Sequence, residues 1–555
     1  MSIVITDHRT IHNEADAITN WTGAATLFTA DPDPVESTGN IGYVVSNATV
    51  DAYPTQAAVN LTNRLIYAWV LPRGAMDTLA LGGVSIHLGD GTNRIAYHRA
   101  GSNVSAFRHE SGPVFWQCVV LDTSNRPTLT TTRAGVLANL NITAITQLGV
   151  TFKTLSKAIG GISNCFVDII RYGDFTANNG AMITISSGTV ADPGTFADIA
   201  LLDRSTGNQQ GYGIVRELGS GLYGVQGGLR FGSATTSTYF KDNNVSVAFE
   251  DRGLSSSTAY TIYILGNATT STTFQLGNKV GTGNNAGGNQ GCSITVPPNV
   301  GCSFVSTDTN VNNVFLYGST LSGFSRGVQM RTNQEFIGSV LTLSGTFEPN
   351  GASVINSTIS SSINTTASLV TSVADMNNIV NTTFSSNNRA LKLTSTGTYS
   401  FVGLKFSNNT FDIENASTGL ITINTDAETT VATFTNTNGG STVIIATKSY
   451  TIKNIIEGTE IRIFKQSDLT ELGGAEVVGI SPSGINNVVV SSDTDNPGRY
   501  KVVYSYNYSG DIPIFVVAHS RQYQWLRQND ILTSSDKSLT IVQLFDRQYD
   551  FGSNP

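Results

Sequence analysis

Along residues 318–411 a short pattern recurs: two small polar residues, a Thr, then one apolar side chain. The copies are Gly318-Ser319-Thr320-Leu321, Ser344-Gly345-Thr346-Phe347, Asn356-Ser357-Thr358-Ile359, Asn381-Thr382-Thr383-Phe384 and Asn408-Asn409-Thr410-Phe411. Their Thr positions step by 26 from 320 to 346, by 25 from 358 to 383 and by 27 from 383 to 410. The step of 12 from 346 to 358 puts one of those two copies on a different face. A period near 25, carried by strand-forming residues with Gly and Asn at the turns, predicts a solenoid of stacked coils. Stacked coils set each inward side chain on the same position of the next, so Leu321, Phe347, Ile359, Phe384 and Phe411 are expected to form one apolar column. The neighbouring Asn and Thr belong at turns, where Asn tolerates left-handed backbone.

The same alternation reaches back towards the N-terminus. Tyr260, Ile262 and Ile264 alternate with Thr261 and Tyr263, and a polar stretch then leads to Phe274. "GNKVGTGNNAGGNQG" at 277–291 reads as a flexible excursion, and "NGGSTVIIATKSYTIKNI" at 438–455 as the last coil or the exit. The two ends pattern differently. "RLIYAWVLP" at 64–72 and "PVFWQCVVLD" at 113–122 are apolar runs suited to strands buried on both faces. "VSIHLGDGTNRIAYHR" at 84–99 is a hairpin turning at Asp90-Gly91. In the C-terminal part Tyr500, Val502, Tyr504, Tyr506 and Tyr508 line one face of a strand and "IPIFVVAH" follows as the next. The expectation is an all-β chain: an arm over 1–20, a jelly-roll or lectin-like sandwich over 21–155, a parallel β-helix over 156–455 and a small sandwich over 456–555. The alternative for the arm is an edge strand using Ile3 and Ile5.

Composition agrees with this reading. Charged residues are 13 % of the 555, about half the ordinary share. Ser, Thr and Asn take their place, which suits stacked coils because like charges at strand spacing repel. The net charge of −8, with no basic block, argues against a nucleic-acid binder. No apolar run reaches the length of a membrane span and no signal peptide is visible at the N-terminus. The Asn-x-Ser/Thr triplets are therefore read as composition. Cys118, Cys165, Cys292 and Cys302 are too sparse for a disulfide scaffold; Cys292 and Cys302 leave a bridge open, with two buried thiols as the default.

Candidate chemistry is thin. Polysaccharide cleavage needs two carboxylates facing one groove, and Asp168, Asp174, Asp198, Asp203, Glu250 and Asp251 are scattered, with Glu335, Glu348 and Asp375 further on. His8, His12, Glu14 and Asp16 lie close in sequence, but a polar terminal segment explains them better than a metal site. His98, Arg99, Arg108, His109 and Glu110 follow the hairpin and suit either an anionic partner or a solvated edge. No Gly-Lys-Ser/Thr sequence accompanies the Gly-rich 277–291, and the six histidines assemble no Ser/His/Asp arrangement. No catalytic, metal or cofactor residue is assigned.

Residues from about 225 onward resemble a family of tailed-bacteriophage virion structural proteins with a right-handed β-helix core. The resemblance lies in "GLRFGSATTSTYFKDNNVSVAFEDR" (228–252), "YTIYILGNATTSTTFQLGNKVG" (260–281) and "TGTYSFVGLKFSNNTFDI" (396–413), and "YQWLRQNDILTSSDKSLTIVQLFDRQYD" (523–550) is similar to the closing segment of such proteins. It implies a structural virion component, on head or tail, assembled in the host cytoplasm. Its partners would be other virion subunits in a homo-oligomer, most plausibly a trimer, and host surface glycans. It implies neither nucleic-acid binding nor membrane insertion. The alternative it carries is a tailspike that cleaves host polysaccharide with a carboxylate pair.

Overall fold

The computed structural model describes residues 3–546 apart from 30–38, 46–48, 74–83, 99–116, 154–162, 175–179, 203–213, 251–259, 266–269, 299, 307–311, 364–367, 427, 476–483, 509, 522 and 534. The chain divides into two compact units, residues 1–370 with 386–388, and residues 371–385 with 389–555. It is nearly all β, and Phe196–Leu202 is the one α-helix among the described residues.

The first unit opens with two six-stranded antiparallel sheets. The apolar run at 64–72 is the strand Arg64–Arg73, between Gln117–Asp122 and Ser163–Asp174. The second sheet runs in the order Thr130–Ala134, Arg94–His98, Val84–Gly89, Ile145–Lys153, Thr49–Ala52. Ile66, Val70 and Ile170 of the first sheet share one core with Ile86, Leu88 and Phe152 of the second. The antiparallel region extends beyond the expected limit of 155, because Ser163–Asp174 is long enough to pair with three neighbours. The expected hairpin forms with Gly89 opposite Arg94. Its turn takes in four residues, because Asp90 accepts the N–H groups of Thr92 and Asn93 and so closes a wider loop.

The reading of residues 1–20 as an arm is corrected. Ile3–Asp7 pairs antiparallel with Ile183–Ser187, and Thr10–Asn13 pairs with Ser163–Asp174. Ile3 is buried. The physical reason is a buried ion cluster that apolar periodicity cannot reveal. Asp7 accepts Arg9 through Nε at 3.0 Å and Nη2 at 2.7 Å, and Arg171 Nη1 at 2.9 Å. The Arg9 guanidinium lies 4.7 Å above the Tyr67 ring.

From Ile183 the pairing turns parallel, with the antiparallel pair Val215–Gly219 and Leu222–Val225 set within it. The chain visits three sheets in rotation. Glu335–Ile337, Val340–Thr342 and Phe347–Glu348 lie one in each, and each pairs in parallel register with a strand one round later: Ser353–Ile355, Thr358–Ser360 and, through Leu369, Leu369–Thr371. Ile294, Leu321, Leu341 and Ile359 stack in strict register. The single expected column is therefore corrected: Phe347 stacks with Val328 and Leu369 in another sheet, and Phe411 stands opposite Arg389. The rounds are also uneven, with steps of 27, 20 and 18 along that column. Corners absorb the differences while the strands keep register.

Three successive three-residue strands of this sheet, Thr320–Ser322, Val340–Thr342 and Thr358–Ser360, are each entered through a left-handed corner. Gly318, Gly338 and Asn356 have φ of 59°, 59° and 50°. The next residue is a buried Ser, whose hydroxyl donates to carbonyls of its own round and the preceding one: Ser339 to Ile337 and Leu316, Ser357 to Ile355 and Phe336. The same oxygens accept N–H groups from the previous round, Ser319 to Ser339 at 3.1 Å and Ser339 to Ser357 at 3.2 Å. The recurring small polar pair is thus a corner and its ladder. It satisfies backbone groups that the turn removes from the sheet.

The excursion at 277–291 is pinned rather than flexible. Asn278–Val280 and Gly287–Asn289 form a hairpin, and Ala286 packs on Tyr317 and Ile337. Asn356 donates to the carbonyls of Asn284 and Ala286. A side chain at Gly288 would overlap the Gly318 backbone, so glycine there permits the close approach. Cys292 and Cys302 are free and buried.

The second unit repeats the parallel scheme. Thr383–Ser385 pairs with Lys405–Ser407, Arg389–Leu393 with Phe411–Asn415, and Gly397–Phe401 with Leu420–Thr425. Asn381 and Gly403 hold the left-handed corners at φ of 52° and 63°, and Phe384 stacks on Phe406 at 5.4 Å. Ser441–Ile455 then changes partners midway: its first half is parallel to Leu420–Thr425, its second half antiparallel to Tyr500–Asn507. The change of scheme therefore falls inside one strand, between Ala446 and Thr447, ahead of the expected boundary at 455 where that strand ends. Ile452, Ile461, Ile463, Val502, Tyr504, Tyr506 and Val516 form one core between the continuation of that mixed sheet and a five-stranded antiparallel sheet.

Candidate functional site

The second antiparallel sheet of the first unit carries apolar residues on its core face and polar ones on the other. The alternation is visible in Val84, Ile86 and Leu88 against Ser85, His87 and Gly89, and in Ile95 and Tyr97 against Arg94, Ala96 and His98. Register places these polar residues in rows. Asp51, Thr151, Ser85 and His98 follow one another across four strands, and Gly149, His87, Ala96 and Thr131 form the adjacent row. Lys153 stands opposite Thr49.

Asp51 is the hub. It accepts Arg133 Nε at 2.8 and 3.1 Å and the Thr151 hydroxyl at 2.9 Å, with Arg94 Nη1 at 3.8 Å. His87 lies 3.7 Å from Asp51, bonds Thr151 at 3.2 Å and stacks on Tyr53 at 4.5 Å. Burial pushes the His87 imidazole down to about 4, against the pull of Asp51, with Arg94 and Arg133 adding to the depression. His98 bonds Ser85 through Nδ1 and Thr131 through Nε2, both at 2.6 Å. A Ser–His pair is the start of a nucleophile–base arrangement. Here the second ring nitrogen meets a hydroxyl where a carboxylate would orient a base, and Ser85 is buried.

Beside these groups lies a small cleft lined by Thr49, Ser85, Ala96, His98, Thr131, Arg133, Thr151 and Lys153. Ala96 is part of this lining, where a larger side chain would take up the space. The cleft presents hydroxyls, the His98 ring and the Arg133 guanidinium at a fixed sheet surface.

Of the residues singled out from sequence, the cleft gathers His98 alone. Asp203, Asp251, Arg99, Arg108, His109 and Glu110 lie outside the described residues. The remaining carboxylates sit apart in structural roles. Asp168 is buried in its strand. Asp174 pairs with Arg64 at 2.9 Å. Asp198 accepts the N–H and hydroxyl of Thr195 at the start of the short helix. Glu250 is clasped by Arg216 at 2.7 and 2.8 Å. Glu335 holds Lys279 and Tyr317, Glu348 accepts Gln329, and Asp375 accepts Ser372. His8 bonds Thr184 and His12 is buried beside Tyr172, while Asp16 accepts the Gly39 N–H. Among the described residues no three His, Cys, Asp or Glu side chains are grouped to hold a metal, and no helix is long and apolar enough to cross a membrane. Asp51, His87, Arg94 and Arg133 went unnoticed in the sequence. The two-residue alternation of the hairpin held the signal for His87 and Arg94; Asp51 and Arg133 reach them only through pairing.

Comparison of the chain with family models and with curated proteins finds no match to either.

Proposed function

We propose that the protein is a non-enzymatic structural component of a tailed-phage virion. Its core in this reading is a right-handed parallel β-helix between an N-terminal jelly-roll-like sandwich and a small C-terminal sandwich. The observation that carries the reading is the rotation of the chain through in-register parallel strands with buried hydroxyl ladders at the corners. A chain whose polar groups are taken up in such ladders is suited to durable assembly rather than turnover. The segments that resemble virion proteins fall on these strands, among them Leu229–Phe231, Thr238–Asp242 and Thr272–Leu276.

Its partners are neighbouring virion subunits and further copies of itself, with a homotrimer as the assembly. Exposed Trp525, Val542, Leu544 and Phe545 support this, because apolar side chains gathered near one end of a chain mark contact surfaces. The N-terminal sandwich and its polar cleft serve contact with host surface glycans. Immunogold labelling of purified particles tests the placement, and absence of label from intact particles would overturn it. Release of reducing sugar from host capsule or lipopolysaccharide by the purified protein would instead establish the tailspike depolymerase reading.

A further inference from the structure

We infer that Asn438 is a site of spontaneous modification, at which the folded chain converts its own side-chain amide to a carboxylate through a cyclic imide. The inference is independent of the functional reading above. It rests on a contrast between two Asn-Gly pairs.

Asn followed by Gly is the sequence most open to this reaction, because glycine has no side chain to shield its backbone nitrogen from the preceding amide. The chain has three such pairs, Asn179-Gly180, Asn350-Gly351 and Asn438-Gly439. Asn179 lies outside the described residues. The other two pairs stand at corners between parallel strands, and their surroundings are opposite.

Asn350 is held. Its backbone is left-handed at φ 46°, and Nδ2 donates to the Met330 and Glu348 carbonyls, both at 3.1 Å. Gly351 is buried, and the Ala352 N–H closes the turn on the Pro349 carbonyl. Turning the Asn350 side chain onto the Gly351 nitrogen breaks both amide bonds, so the reaction there waits for local opening.

Asn438 is exposed, and its Nδ2 donates to the Ala416 carbonyl at 2.7 Å at the surface. Gly439 is exposed as well, at φ 80°, with no atom beyond its chain neighbours within 4 Å of the place a Cβ would take. No described residue accepts the Gly439 N–H. The nitrogen that must attack is therefore open to solvent base, and the loop has room to bring it to the amide carbon.

The Gly439 nitrogen gives its proton to solvent base and attacks Cγ of Asn438. The N–Cγ bond forms and the Cγ–Nδ2 bond breaks, and the leaving nitrogen takes up a proton and departs as ammonia. Water then opens the ring, giving aspartate by attack at Cγ and isoaspartate by attack at the backbone carbonyl carbon. Nothing is oxidised or reduced. Either product removes the donor to Ala416, a rung between the corner at 437–440 and the corner at 416–419 one round earlier. Isoaspartate also adds a carbon to the main chain just ahead of Ser441–Ile455, the strand that carries both pairing schemes. The Ser441 N–H to the Gly419 carbonyl and the Asn415 amide to the Ser441 carbonyl keep that strand in place.

The test incubates the full-length protein at mildly alkaline pH in heavy-oxygen water and maps its peptides by mass spectrometry. The expected result is heavy-oxygen uptake at Asn438, as aspartate and isoaspartate, about tenfold or more faster than at Asn350, where two amide hydrogen bonds must first break. In denaturant the two sites are expected to convert at similar rates. Asn438→Gln, whose longer side chain would have to close a larger ring, is expected to silence its peptide and leave the Asn350 rate unchanged. No conversion of Asn438 in the folded protein, conversion of Asn350 at an equal or greater rate, or a ratio of rates unchanged by denaturant would each overturn the proposal. Uptake persisting in the same peptide of Asn438→Gln would overturn it too, by placing the reaction on another residue.

Discussion

At the scale of single residues, stability concentrates where polar groups are sealed inside. Burial alone would raise the Asp7 carboxyl, yet the Arg9 guanidinium beside it, aided by Arg171, holds it below the ordinary value. The Arg9 side chain is fully inaccessible, so removing its counter-charge strands a cation. Asp7→Ala is expected to cost about 3–5 kcal/mol, read as faster hydrogen exchange in Ile183–Ser187. Exchange unchanged from wild type would mean that the N-terminal strand is dispensable. Phe384 makes the matching apolar case. It is buried and stacked on Phe406, and Phe384→Ala is expected to cost about 3–5 kcal/mol by leaving a cavity in the column. Thermal unfolding within a degree or two of wild type would place it outside the core.

At the scale of elements, corners do more than strands to define the parallel region. Strands of two or three residues hold few hydrogen bonds each, and the hydroxyl ladder supplies bonds that the turn omits. The hairpin 278–289 depends on a different device, the absence of a side chain. Gly288→Ala is expected to lift the hairpin from the sheet, because the new methyl collides with the Gly318 backbone, which has no freedom to move. Limited proteolysis cutting within 278–289, with the melting temperature of the rest nearly retained, would verify this. Resistance equal to wild type would refute it. The element types were legible in the chain: alternation marked the strands, and Gly or Asn before a small polar residue marked the corners. Rotation among three sheets was not, since Thr346 and Thr358 carry the same local signature and stand at the starts of strands in different sheets.

At the scale of the whole molecule, acid should act first on the N-terminal sheets. His87 and His12 are both held down to about 4, chiefly by burial. His87 is faced by Asp51, Arg94, Arg133 and Tyr53; His12 lies beside Tyr172. A histidine takes up a proton near pH 6.5 when unfolded, but only near 4 when folded. The unfolded state therefore binds more protons between those values, and stability falls as pH falls through that window. Each histidine contributes a loss of about 3 kcal/mol when the window is crossed, with no effect above it. Hydrogen exchange of Arg64–Arg73 at pH 7, 5.5 and 4.5 should show progressive loss of protection, and His87→Gln should flatten the slope. An identical slope in that variant would remove His87 from the account.

What the sequence determined by itself was whatever depends on neighbours along the chain. Low charge, β-branched residues and a polar–apolar period imply an all-β protein with stacked parallel strands. The Tyr500–Tyr508 alternation implies a second kind of sheet near the C-terminus, where Val502, Tyr504 and Tyr506 are buried together. What only tertiary structure decided depends on residues distant in sequence. Asp7 meets Arg171, Asp51 meets Arg133, and neither acid differs locally from a solvated one. Periodicity reports which face of a strand turns inward. It is silent about which strand lies alongside, and that pairing gives a buried charge its partner and a cleft its lining.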